Sequence, residues 1–505
     1  MVDDIELGDQ RGERKSPWRP TSFTFRRSTT LGTALTSRVP TTEYEFFGNL
    51  PTLTSEEITG QWKLIIFIIG HDMPKGPLAT ACQWYSQYLQ MKFTETWHLL
   101  APSLEGLEDS SKGPRAGDLV VVYHFVYTIA QLLSTRRNAT LVEIVDELDN
   151  NSLLKPQGDE ERAKPNQIVF AIVGWLSMLY EAVSHPKPDK LEVRKTSTSS
   201  SGQRNDLVTR KYLSFGQGFE YIDVPLYTML GKFGYLIPMA RIHSIRQPGF
   251  SHHGQSGIVQ VHSVCFDTLH QIAGLKIEWV SSLALHLELD SGKKTLKLFQ
   301  FPSFCRMMMV DRKKHLLSRL LNDHADSQCE DVNAADIPTD EFFEEILRSY
   351  RLIFGQDERS WKGFTKMLTG LEENHEQGMT SWACDPLLRV LCGQSSSSTE
   401  ARYIYEELDN NQPTTYYTLD EFPFFGKRLM ELAEFDNQHQ PQTVMSLLND
   451  RRDIAARFNL RSTQLLVLFA TVTILLMVLS LCFQIWQVVL AKQQLQQASS
   501  PSFST

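Results

Sequence analysis

The sequence predicts an α+β fold dominated by helices, with at least one β-hairpin and a single C-terminal transmembrane helix. Three observations indicate this class. Several long segments carry apolar residues at the three-to-four-residue spacing of a helix. One segment, 284–301, alternates in the manner of a strand and contains a turn. The stretch from Leu465 to Phe483 contains no charged residue, which is typical of a membrane span.

The C-terminal apolar stretch has the length and composition of such a span. Its apolar character continues from Leu465 through Phe483 to Ala491. A spanning helix needs about 20 mostly apolar residues, and a soluble core helix is seldom apolar on every face. Trp486 lies where an aromatic residue of the membrane–water interface is expected. The sequence therefore predicts a transmembrane helix over residues 463–491.

The charges that flank this stretch predict its orientation. Four arginines, here named the basic collar, lie just before it: Arg451, Arg452, Arg457 and Arg461. Only Lys492 follows it closely, so the positive-inside rule places the long N-terminal part in the cytosol. The short tail 492–505 is typical of a tail-anchored, single-pass protein. Few basic residues after the span favour the endoplasmic reticulum, and the expected partner of the segment is the lipid bilayer.

Composition and charge exclude some classes of protein. The 505-residue chain is long enough for two to three average domains. Its formal net charge of −9 argues against a nucleic-acid-binding protein, because phosphate binding needs a basic face. The seven cysteines form no CxxC pair, which is typical of free thiols in a reducing compartment. Early acidic residues without an apolar segment predict that the N-terminus is not a signal peptide.

Changes of composition along the chain predict how it is divided. The expected segments are a disordered N-terminal tail (1–40), a helical subdomain with a buried strand (41–185), a Ser-rich linker (186–210), an α+β subdomain with the hairpin (211–393), a second linker (394–412), juxtamembrane helices (413–462), the transmembrane helix (463–491) and the tail (492–505). The buried strand is expected at 62–70, WKLIIFIIG, which is too short to span a membrane. The apolar segment 168–183 has helical spacing and is expected to be a core helix.

The predicted hairpin has an alternating pattern on both sides of a turn. Leucines at 285, 287 and 289 alternate with Ala284, His286 and Glu288. The turn residues Asp-Ser-Gly at 290–292 then lead into a second alternating run. His286 and Glu288 are expected on the solvent face of this hairpin.

No strong catalytic or cofactor motif is present in the sequence. It contains no Walker or dinucleotide-binding glycine loop, no HExxH and no GxSxG, and we expect no cofactor. His71 and Asp72 follow the predicted buried strand, where active-site loops often lie, so they form a weak candidate acid–base pair. A capped turn also explains these two residues and is the favoured interpretation.

A second weak candidate is a group of imidazole and thiol side chains. It comprises His252, His253, His262, Cys265 and His270. Such side chains bind zinc, and His262 and Cys265 would share one helix face at a spacing of three residues. A Gly/Ser-rich loop and an ordinary core cysteine explain the same residues, and we favour that interpretation over a metal site.

Two asparagines fit the pattern for N-glycosylation. They are Asn138 in NAT and Asn150 in NNS. Because the predicted orientation places both in the cytosol, they are expected to be modified only if this part of the chain is lumenal.

Four stretches resemble a large group of uncharacterised fungal single-pass membrane proteins. They are LKIEWVSSLALHLELDSGKKTLKLFQFPSFCRMM, YRLIFGQDERSWKGFTKM, DPLLRVLCG and DEFPFFGKRLMELAEFDNQHQPQTVMSLLNDRRD, followed by one hydrophobic helix. The similarity covers roughly residues 210–490. It departs just after DRRD, where the group often has aromatic residues and this chain has IAARFNLRSTQ. The resemblance implies a helix-rich cytosolic region with a C-terminal span, and it implies no established activity.

The architecture and the lack of catalytic motifs favour a membrane-anchored accessory, binding or scaffold protein with a protein partner of unknown identity. The alternative is a membrane-bound enzyme of a fungal specialised metabolic pathway, because some members of the resembled group are encoded near such genes. A weaker alternative is an oligomeric transport subunit, since a single span can assemble with others.

Overall fold

The structure of the chain is a computed structural model. It describes residues 50–70, 76–108, 113–136, 138–156, 163–198, 211–233, 236, 257–310, 339–373, 385–395, 398–408, 413–439 and 454–498. The chain is dominated by helices and carries small sheets, as the sequence predicts.

The helices of the described residues are α1 (Ser55–Ile69), α2 (Pro77–Glu95), α3 (Trp97–Ser103), α4 (Asp118–Thr135), α5 (Leu141–Asn150), α6 (Ala163–Ser177), α7 (Leu226–Lys232), α8 (Val261–Val264), α9 (Phe266–Gln271), α10 (Pro302–Met308), α11 (Thr339–Tyr350), α12 (Glu358–Glu373), α13 (Pro386–Gly393), α14 (Thr399–Leu408), α15 (Thr418–Glu421), α16 (Gly426–Gln438) and α17 (Ile454–Ala498). A π-helical turn, Arg351–Gly355, joins α11 to the segment before α12. Among the segments predicted as linkers, 394–412 contains α14, whose apolar face is buried.

The strands form three small sheets. They are β1 (Lys190–Thr198), β2 (Lys211–Gly218), β3 (Ile258–Gln260), β4 (Lys276–Val280), β5 (Leu289–Asp290), β6 (Thr295–Phe299) and β7 (Thr415–Tyr417). β1 pairs with β2 and β3 with β7, both antiparallel, while β6 lies between parallel β4 and antiparallel β5. The β5–β6 pair confirms the predicted hairpin, although its first strand has only two residues. β1 lies inside the segment 186–210, which the sequence predicts to be a linker, and residues 199–210 lie outside the described residues.

The apolar segment 62–70 is helical, so the predicted buried strand is wrong. α1 begins after Thr54, whose side chain accepts a hydrogen bond from the Glu57 amide while the Glu57 carboxylate accepts one from the Thr54 amide. This capping box nucleates a helix well before the apolar run begins. The run is therefore the second half of a 15-residue helix, which ends at Gly70 with a left-handed φ of 71°.

One hydrophobic core runs through the described chain, from the apolar helices of the N-terminal half through β6 and α10 to α11, α13, α14 and α16. All residues of α6 from Pro165 to Ser177 are buried, which confirms that this segment is a core helix. Trp84 of α2 contacts Phe301 with ring centroids 4.7 Å apart, and Tyr85 contacts Phe304 at 5.3 Å. Side chains from both predicted subdomains thus enter one hydrophobic core.

Candidate membrane anchor and buried polar sites

α17 is the longest helix of the described chain. It has 45 residues and is about 65 Å long at 1.5 Å per residue. Its most apolar part, Ser462–Gln496, is long and apolar enough to cross a membrane, and none of it is buried. α4 also passes the test of length and composition, but 44% of it is buried in the protein core.

The described side chains of α17, over Ser462–Gln496, are exposed all around the helix, and most of them are apolar. Leu466, Phe469 and Met477 are 66%, 64% and 68% exposed, and none of the buried residues that form the described core belongs to this helix. A continuous apolar surface of this extent is unfavourable in water and marks contact with lipid or protein. The hydroxyls of Thr471 and Thr473 donate to backbone carbonyls four residues earlier, both at 2.8 Å, so these hydroxyls are satisfied within the helix.

The residues predicted to flank the span lie on the same helix where they are described. Arg457 and Arg461 of the basic collar precede the apolar part of α17, whereas Arg451 and Arg452 lie outside the described residues. Trp486 is 64% exposed toward its far end. Leu465, Phe483 and Ala491, which the sequence places within the predicted span, are also on α17. The described basic and aromatic residues therefore lie on opposite sides of the apolar centre.

The two asparagines of the glycosylation pattern are on the surface. Asn138 has a left-handed φ of 58° and precedes α5, and Asn150 is the last residue of that helix. Both are exposed, so their use depends on the compartment in which they lie.

The reason for treating His71 and Asp72 as a candidate acid–base pair was their place after a predicted buried strand, and the structure shows a helix there. His71 and Asp72 lie outside the described residues. They follow the left-handed C-cap Gly70 of α1, and the argument from the end of a buried strand does not apply to a helix.

The candidate metal ligands do not share one helix face, contrary to the expectation for His262 and Cys265. Cys265 has an extended backbone (φ −70°, ψ 148°) that separates α8 from α9. Burial, and secondarily Asp357, raises the pKa of the Cys265 thiol, which opposes the thiolate form that binds zinc. His270 Nδ1 lies 3.1 Å from the Leu275 carbonyl oxygen, and its ring stacks on that of Phe266.

No group of three potential metal ligands exists among the residues that the structure describes. His252 and His253 lie outside those residues. The predicted cluster therefore has no assembled ligand set in the described part of the chain.

His286 is fully buried, so its predicted place on the solvent face is wrong. The short 3₁₀ turn Leu283–Leu285 and the left-handed φ of 61° at Leu287 interrupt the expected alternation. Glu288 is also largely covered, and its carboxylate pairs with the buried Lys297 ammonium at 3.1 Å. Sequence periodicity alone gives no sign of these backbone irregularities.

The hydrogen bonds of His286 fix its tautomer. Nδ1 accepts from the Phe299 amide at 3.1 Å, so Nε2 carries the proton and donates to Ser349 Oγ at 2.7 Å. Ser349 Oγ in turn donates to the Ile346 carbonyl at 2.6 Å. Burial, assisted by Arg428, lowers the pKa of His286 well below its usual range. A neutral ring that donates to the serine cannot remove its proton, so this pair is a structural contact.

Three buried carboxylates bind the N-terminal ends of helices, and the motif search did not identify them. Glu57 Oε1 accepts from the Gly117 and Leu119 amides at the start of α4, at 2.9 and 3.1 Å. The exposed amide groups and dipole at a helix N-terminus favour a negative charge there. Glu57 thus connects α1 to α4.

Glu345 and Asp385 perform the same task in the second half of the chain. Glu345 accepts from the Phe424 and Phe425 amides at 2.9 and 2.8 Å, immediately before α16. Asp385 accepts from the Ser303 amide at 3.0 Å and the Ser303 hydroxyl at 2.7 Å, and it caps α13. Burial raises the pKa of Glu345 to about 8 and that of Asp385 to about 7, although these donors act to lower it. The Asp-Pro pair at 385–386 is a helix-start signal that could have identified one of them.

A further ionic cluster surrounds Glu181. Its carboxylate lies 2.7 Å from Arg194 Nη1 and 3.5 Å from Lys92 Nζ, and it accepts from Ser281 Oγ at 2.6 Å. Burial acts to raise the pKa of Glu181, but Lys92 and Arg194 outweigh it and lower the pKa. This cluster joins α2, β1 and the segment after β4, which favours a structural role.

Among the described residues, the exposed apolar surface of α17 is therefore the feature that indicates contact with a bilayer or another molecule. The buried polar clusters connect elements of the fold to one another. Comparison of the chain with models of protein families, with curated proteins and with solved structures finds no match.

Proposed function

We propose that the protein is a single-pass, membrane-anchored binding or accessory protein whose N-terminal part faces the cytosol. The exposure of α17 along its apolar length carries the proposal, since no described residue covers it as the core covers α4 and α6. A lipid bilayer solvates such a surface while the helix satisfies its own backbone groups. The basic collar supports the orientation. Membership of the resembled fungal group and residence in the endoplasmic reticulum belong to the proposal as well.

A binding role is supported by what the buried polar groups do. His286, Glu345 and Asp385 have their hydrogen bonds directed to other parts of the same chain. Such contacts hold together the fold that the anchor keeps at the membrane, which is the role expected in a binding or accessory protein. The anchor supplies the location at which that partner is met.

Deletion of residues 463–505 is the experiment that tests the anchor. We expect the full chain to remain with membranes after alkaline carbonate extraction and the deleted chain to be in the supernatant, because the deletion removes the exposed apolar surface. Deletion of residues 493–505 alone is the matched control and should leave the protein in the pellet. Sedimentation of the 463–505 deletion variant with membranes, despite its being folded by circular dichroism, would contradict the proposal.

The proposed orientation of the chain across the membrane can be tested by glycosylation. A glycosylation acceptor introduced after Lys492 should be modified, while Asn138 and Asn150 should stay unmodified, because only the tail is lumenal in the proposed orientation. The opposite pattern of modification would reverse the orientation.

A further inference from the structure

The uncharged polar residues of the span are not spread evenly around α17. At 3.6 residues per turn, Thr473, Ser480, Gln484 and Gln487 lie within an arc of about 60° on the helix surface. We call these four residues the polar stripe. Thr471 and, near the N-terminal end of the span, Gln464 lie on the opposite side. Four of the seven serine, threonine and glutamine residues of 463–491 therefore share one side of the helix, and they include both glutamines of its C-terminal half.

The stripe continues a regular spacing along the helix. Positions 470, 473, 477, 480, 484, 487 and 491 alternate steps of three and four and carry Ala, Thr, Met, Ser, Gln, Gln and Ala. This seven-residue repeat is the seam of a left-handed helix pair. In membranes such seams are rich in small and polar side chains that allow close approach and hydrogen bonding between helices.

The amides of the stripe need a partner that the helix does not supply. Within the described residues, Thr473 donates to the Phe469 carbonyl, but the side chains of Ser480, Gln484 and Gln487 make no hydrogen bond. Gln484 lies about 9 Å along the axis from residue 478, the midpoint of 465–491, and therefore on the hydrocarbon side of the interfacial Trp486. An unpaired amide is unfavourable there.

We propose that α17 pairs through the polar stripe with α17 of a second copy of this chain. All copies insert in the same direction, so two such helices are parallel and place Gln484 opposite Gln484. A glutamine amide carries both a donor and an acceptor, and two facing amides therefore satisfy each other. The repeat brings the other stripe residues into register in the same way. This inference rests on the proposed membrane anchor.

Disulfide crosslinking of the full chain in membranes tests the pairing. The parent carries Cys482→Ser, because Cys482 is exposed and lies opposite the stripe. In this parent, Gln487→Cys should form a covalent dimer on oxidation. Val489→Cys, at nearly the same depth but on the opposite side, should give no more dimer than the parent.

A second comparison distinguishes hydrogen bonding from proximity. Adding Gln484→Leu to the Gln487→Cys variant should reduce the crosslinked fraction about threefold or more, in line with interhelical hydrogen bonds in membranes. Adding Thr471→Leu should leave it unchanged. Equal crosslinking at 487 and 489, or none at either in carbonate-resistant protein, would overturn the pairing alone. A crosslinked product whose mass is not twice that of the chain would show that the stripe contacts a different protein, and would overturn pairing between copies. Loss of the protein from membranes would overturn the anchor itself.

Discussion

Replacement of Gly426 by alanine is expected to lower the free energy of unfolding by about 3 kcal/mol. Gly426 is the first residue of α16, and a Cβ placed there would lie 2.3 Å from the Thr418 carbonyl oxygen. The neighbour is backbone and is held in place, since the Thr418 amide donates to the Gly257 carbonyl at 2.7 Å. Relief of the clash must therefore displace α16 or the start of α15, against a total stability of about 5–15 kcal/mol.

Gly231→Ala is the matched control. Gly231 is also helical, in α7, but a Cβ there meets nothing within 4 Å, so alanine should be neutral or stabilise by up to about 1 kcal/mol. Urea unfolding followed by circular dichroism on the chain lacking residues 463–505 provides the measurement, because the described core does not include α17. A Gly426→Ala variant as stable as the parent would contradict the close approach.

Stability is expected to fall as the pH rises from 6.5 to 8. Burial raises the pKa of Glu345 to about 8 and of Asp385 to about 7, above their ordinary values of 4.5 and 3.8. In this range the unfolded chain has released both protons, whereas the folded chain holds that of Asp385 up to about pH 7 and that of Glu345 up to about pH 8. The free energy of unfolding therefore decreases by about 1.4 kcal/mol per pH unit for each such group, until the folded pKa is passed.

His286 opposes this trend on the acid side. Burial lowers the pKa of His286 from the ordinary value of 6.5. Below pH 6.5 the unfolded chain therefore binds a proton at this histidine while the folded chain does not, so acidification lowers the free energy of unfolding. The steepest net dependence therefore lies above pH 6.5. Glu345→Gln, which removes the proton, should flatten that part of the profile, as measured by urea unfolding across pH 6–8.5. A profile that is level or rises with pH in the parent would show that the buried carboxyls are ionised throughout.

The sequence predicts the long, strongly patterned elements correctly. α6 and α17 are both rich in apolar residues, and the charge-free length of the C-terminal stretch was enough to distinguish a span candidate from a core helix. The segment 62–70 was misassigned because its helix is set by a capping box several residues upstream, at Thr54 and Glu57. The capping box starts a helix that continues through the apolar run, although the run by itself resembles a buried strand.

The hydrogen-bond partners of the buried polar residues could not be predicted from the sequence, for a different reason. Glu57 lies 60 residues from the Gly117 amide that it binds, and Glu345 lies 79 residues from Phe424. Contacts over such separations depend on tertiary packing and leave no local signature. His286 shows the same limit, because one left-handed residue at Leu287 changes which face of the chain is buried.

The attachment of α16 has a mechanical consequence. This helix is the last described element before the anchor helix, and its fastenings, the Glu345 carboxylate and the close approach at Gly426, lie at its N-terminal end. In the proposed anchored protein, a pull from the membrane would enter at its other end, near His439. Leu429 and Leu432, which are buried between these two ends, would then bear the pull before it reaches the N-terminal contacts.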